Sequence, residues 1–67
     1  MNFNKSIESV IKHFAWEHLP QKLQDVSRPF GELAMSVATR NPDDPETTVA
    51  LRKLLEAKDA AVRASLG

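Results

Sequence analysis

The sequence predicts an all-α protein: a short N-terminal helix followed by an antiparallel two-helix hairpin, assembled into a homo-oligomer. Three observations carry that expectation. Apolar residues recur at three- and four-residue steps through nearly the whole chain, the period of an amphipathic helix. No stretch shows the strict apolar–polar alternation of a strand. The segment from Asn41 to Asp44 separates two long periodic runs with a proline that stops one helix and an aspartate that can cap the next. A turn this short makes its flanking helices antiparallel neighbours.

Oligomerisation follows from size. Sixty-seven residues make one domain, 1–67, and a single core of this size is marginal. The chain has no cysteine, which excludes disulfides and thiolate metal sites. His13 and His18 are five apart, the wrong spacing for two ligands on one helix face, so no metal is expected. Association between copies is then the leading way to complete the core.

The first helix is expected at about 4–14. Ile7, Val10, Ile11 and Phe14 repeat at i, i+3, i+4 and i+7. Asn4 is its cap, and Glu8 suits the positive end of the helix dipole. Three turns do not stand alone in water, so this helix must dock. Residues 15–19 form a connector, and Pro20 opens the second helix, 20–40. Its seam is Leu19, Leu23, Val26, Phe30, Leu33 and Val37, a heptad-like row that faces the hairpin partner. Pro29 and Gly31 weaken the middle of that helix, but the seam keeps its phase across them, so one kinked helix is expected.

The third helix, about 45–65, is capped by Asp44 and begins with Pro45. Leu51, Leu54, Leu55, Val62 and Leu66 form its apolar stripe, with Lys58 inside the stripe. Ala57, Ala60, Ala61 and Ala64 make its second half small-surfaced.

Nine basic and nine acidic residues cancel, so the overall field does not gather nucleic acid. The acidic turn is followed by no basic recognition helix, which argues against DNA binding. No apolar run approaches a membrane span, and the charged, polar N-terminus lacks a signal-peptide core. A soluble intracellular protein is expected. No nucleophile, acid–base pair with a third partner or Gly-rich phosphate loop is present, so neither an enzyme nor a cofactor is expected.

Four residues stand out as binding candidates. Lys58 either snorkels to the edge of its stripe, pairs with Glu32 or Glu56, or presents a cation to an anionic ligand. Trp16 either seals the end of the core or offers an exposed platform for stacking a base. Arg28, opposite the heptad seam, is either solvated or a phosphate-binding fork. Arg52 is the weaker cation, more in keeping with a solvated flank. Met35, on the same side as Arg28, hints at a second packing surface.

The run HFAWEHLPQKLQDVSRPFGELA from His13, followed by NPDDPETTVALRKLLEAKDAAVRASL, resembles the helical-hairpin phage proteins that act as cyclic-oligonucleotide sponges, the anti-CBASS sponge and the related anti-Thoeris sponge hairpin. The resemblance lies in an aromatic lead-in ending in proline (Phe14, Trp16, Pro20) and an E-L-A step (Glu32, Leu33, Ala34). After the acidic turn comes A-L-x-K-L-x-E-A, here Ala50, Leu51, Lys53, Leu54, Glu56 and Ala57. Tryptophan stands where the family usually has tyrosine. The resemblance implies a compact hexamer in the cytoplasm of an infected bacterial host. It implies that the protein sequesters cyclic di- or trinucleotide immune signals without cleaving them. By position it makes Trp16 the stacking residue, places Arg28 near the basic position of the first hairpin helix, and makes Arg52 and Lys58 candidates on the second. The competing expectation is a small oligomeric structural or protein-interaction module with no small-molecule ligand.

Overall fold

The computed structural model describes residues 3–67, leaving the first two residues of the expected 1–67 domain outside it. These residues are helical with no strand among them: α1 is Lys5–Ile11, followed by a 3-10 turn at Lys12–Phe14; α2 is Gln21–Arg40; α3 is Pro45–Leu66. No helix here is long and apolar enough to cross a membrane.

Helix starts are set by side chains within a few residues of each other. The Asn4 Oδ1 accepts the Ile7 amide at 2.8 Å. The Asp44 Oδ1 accepts the Glu46 amide at 2.8 Å, with Pro45 in the first helical position. Each carboxylate or amide oxygen satisfies an amide that the helix itself leaves without a partner. Pro20 lies one residue before α2, as its N-cap, where it was expected to be the first helical residue. The turn is fastened by the Thr47 hydroxyl, which donates to the Asn41 carbonyl at 2.7 Å. Despite Pro29, α2 is a single helix.

At 1.5 Å per residue, α2 and α3 are roughly 30 and 33 Å long. The whole molecule is 36 Å in its longest dimension. Two such helices cannot lie end to end in it, and they make the most extensive contact between elements in the structure. α1 packs mainly against α3, and the 3-10 turn against α2. The core joins all these elements: Ile7, Val10 and Phe14 from the N-terminal segment, Ala34 and Ala38 from α2, and Leu51 from α3. Among the described residues, only Ile7 and Leu51 are large side chains with essentially no exposure, so the core is as small as the chain length implies.

The side of α2 that turns inward corrects the expected seam. The buried residues of α2 are Ser27, Ala34 and Ala38. Phe30 and Val37 pack only along the edge of the core, and Leu33 is 52% exposed. The inward face is therefore rotated by about a quarter turn from the bulky row at 100° per residue. Ser27, Gly31, Ala34 and Ala38 have the same four-three-four spacing as the bulky seam. Small residues let α3 and the Trp16 connector come close to the α2 backbone, and no bulky row would allow that. The α3 stripe is corrected in part as well. Leu51 is buried, Leu54 and Leu55 pack against the core, and Leu66 is 65% exposed.

The α1 cap gives a direct test. Asn4→Ala removes the acceptor of the Ile7 amide and is expected to cost about 1 kcal/mol. Because α1 delivers Ile7 and Val10 to the core, that loss should lower the urea midpoint of global unfolding. An unchanged midpoint would show that packing alone holds α1 in place.

Candidate functional site

The connector between the 3-10 turn and α2 places Trp16. The Leu19 amide donates to the Trp16 carbonyl at 3.1 Å, closing a turn. The Gln24 side chain then ties this turn to α2. Its Nε2 donates to the carbonyls of Leu19 and Glu17, at 2.8 and 3.1 Å. Trp16 is half-buried and lies with its pyrrole edge against Gly31. A Cβ at Gly31 would stand 2.7 Å from Trp16 Cδ1 and 2.9 Å from the Phe14 carbonyl oxygen. By sequence alone Gly31 is only a weak point in the helix. Its role is to let an aromatic ring and a backbone carbonyl approach the α2 axis, and its place in the small-residue row was the available signal.

Arg28 lies one turn before Gly31 on α2. Its guanidinium carbon is 5.2 Å from the centroid of the Trp16 ring. Its Nε also donates to Glu32 Oε2 at 3.4 Å. Both partners of that ion pair are mostly exposed, so it contributes little to stability. The cation over the ring contributes roughly 0.5–1 kcal/mol at an exposed site. Beside the ring is a shallow depression of about 240 Å³, bordered by Phe14, Gly31 and Met35. Trp16 and the exposed Met35 border this depression, and the exposed Arg28 guanidinium lies over the indole beside it.

The other two candidates lie apart. Arg52 lines a separate depression of about 330 Å³, where Asn4 and Ser6 meet Pro45 and Thr48. Lys58 has a side chain only 17% exposed, with Nζ 3.1 Å from Asp59 Oδ1. Of the anionic partners weighed for it, neither Glu32 nor Glu56 is the one used. The carboxylate of the adjacent residue balances its charge at the edge of the helix pair. The structure thus brings Trp16 and Arg28 together and does not gather all four residues into one pocket.

No protein-family model, curated protein or solved structure matches this chain.

The functional reading then rests on the side chains themselves. Among the described residues, no three acidic or imidazole side chains come together as a metal site. What the Trp16–Arg28 pair can do chemically is bind. The indole offers a flat surface to a planar ring, and the guanidinium offers two parallel donors to a phosphate.

Proposed function

We propose that the protein binds a cyclic di- or trinucleotide signal and holds it intact, as a counter-defence sponge in the cytoplasm of an infected bacterial host. The supporting observation is the Arg28 guanidinium stacked 5.2 Å from the Trp16 ring on an accessible surface. The resemblance from His13 to Leu66 points the same way. In this reading a base takes the place of the guanidinium over the indole. Arg28 then swings toward the phosphate, a small motion because its other partner is an exposed carboxylate. Arg52 and Lys58 are secondary cations that reach a ligand only across a boundary between copies. The assembly is a homo-oligomer of antiparallel hairpins, a hexamer by the resemblance. Sequestration needs no catalytic group: abundance and affinity remove the signal by mass action.

Calorimetry against a panel of cyclic di- and trinucleotides tests the proposal. At least one is expected to bind and to be recovered unchanged after heat denaturation of the protein. Trp16→Ala is expected to weaken binding of that ligand by roughly 5–150-fold, from the ~1–3 kcal/mol of stacking one base on an aromatic ring. Arg28→Ala should weaken it too while leaving the helical content unchanged. Absence of heat across the panel, or recovery of a cleaved product, sinks the sponge reading.

The second reading, a ligand-free interaction module, is favoured by one feature: the bulky row of α2, which the fold leaves at the edge of the core with Leu33 exposed.

A further inference from the structure

That row has a counterpart on α3. Trp16 and Met35 border one depression with Gly31, and Asn4 and Ser6 border another with Thr48 and Arg52. These contacts identify the side of the α2–α3 pair that α1 and its connector cover. At 100° per residue, the bulky row Val26, Phe30, Leu33 and Val37 falls on the other side. So does a row on α3 formed by Ala50, Ala57 and Ala61, with Leu54 between them. Val37 and Ala50 border a shared depression to which no residue of α1 contributes. One face of the pair therefore carries the outer edge of the bulky row, half-buried except for the exposed Leu33, beside a row of three alanines interrupted by the half-buried Leu54, both with heptad-like spacing and neither charged.

We infer that this face is where a second copy of the chain docks, through a two-fold axis parallel to the helices, to form a four-helix bundle. The axis is selected by shape. A two-fold parallel to the helices lays the α2 of one copy on the α3 of the other, so each bulky row meets an alanine row and touching helices are antiparallel. A two-fold across the helices sets bulky row on bulky row and alanine row on alanine row and leaves a gap.

Charge at the turn end acts in both directions. Arg40 and Glu46 border this face at the turn end and have no ion-pair partner among the described residues. With the parallel axis the turn ends of both copies coincide. Arg40 of each copy then meets Glu46 of the other, twice by symmetry, while Asp43 and Asp44 of both copies gather at the same end and oppose the contact. With the crossed axis each meets the open end. A net charge of zero leaves no long-range repulsion between copies. Area is adequate as well. The molecule is 36 Å long and 16–20 Å across, so one face covers roughly 600–700 Å² in plan, close to the ~800 Å² each partner gives to a stable interface. The inference needs no nucleotide and stands or falls independently of the ligand reading.

The test is sedimentation of nucleotide-free protein over a range from low micromolar to about 100 µM, a range in which a standard-size interface assembles. The expected species is a dimer or an even-numbered oligomer built from it. Leu33→Lys places a charge at the centre of the bulky row at a position exposed in the single chain. It is expected to weaken association by roughly 30-fold or more while far-UV dichroism stays helical. Arg40→Glu should weaken association, because it removes the cation of the pair and adds to the carboxylates at that end, and Glu46→Arg in the same chain should recover much of it. Arg28→Ala, on the other side of the pair, should leave the mass unchanged. A monomer at 100 µM overturns the inference and leaves the face to a partner of different sequence. An oligomer whose mass is indifferent to Leu33→Lys overturns it as well.

Discussion

Leu51→Ala is expected to cost about 2–5 kcal/mol, the range for deleting a fully buried leucine when the cavity collapses only in part. A domain of this length has roughly 3–10 kcal/mol of stability in total. The substitution should therefore bring the protein close to half-unfolded at room temperature, or past it. Leu51 is the one fully buried large residue that α3 contributes, and it meets the core residues of both other helices. Leu66→Ala provides the contrast. Leu66 belongs to the same apolar stripe by spacing, yet it is 65% exposed, and its truncation should change stability by no more than ~0.5 kcal/mol. Urea melts at one protein concentration, chosen because association contributes to apparent stability, distinguish the two. Equal costs at both positions would mean that the stripe is buried along its whole length.

Gly31→Ala is the second substitution with a large expected effect, and its sign is informative. Helix propensity alone favours alanine by about 1 kcal/mol, and no glycine in the described chain has a positive φ that would forbid it. Against this stands the missing space. The new methyl would sit 2.9 Å from the Phe14 carbonyl oxygen, a backbone atom, and 2.7 Å from the Trp16 ring. Overpacking of this kind costs roughly 1–3 kcal/mol, enough to reverse the propensity gain in most of its range. The expected result is net destabilisation with a red-shifted Trp16 emission, as the ring is pushed outward and loses its place beneath Arg28. A stabilised protein with unchanged emission would mean that the connector yields without cost. If the Trp16–Arg28 pair also binds the ligand, the same substitution should reduce affinity without touching either residue.

The candidate site was legible as residue types and not as an arrangement. Trp16 and Arg28 are twelve positions apart, and nothing in their spacing says that one lies over the other. Their meeting depends on the turn at Leu19, the Gln24 side chain that ties it down, and the glycine beneath the ring. Lys58 was legible as an anomaly in an apolar stripe. Its partner was not, because snorkelling toward Asp59 or toward a glutamate on either helix is equally compatible with its position.

By itself the sequence determined the helices, their starts and the turn between α2 and α3. Those features are governed by contacts of two to four residues: Asn4 with Ile7, Asp44 with Glu46, and Pro42 just after the end of α2. Tertiary structure alone decided which face of α2 turns inward. Two rows run along that helix at the same heptad spacing, one bulky and one small, and hydrophobicity favours the bulky row. Close approach of α3, the Phe14 carbonyl and the Trp16 ring favours the small one. That choice depends on elements far apart in the chain, so no local rule contains it, and it leaves the bulky row at the edge of the core with Leu33 exposed.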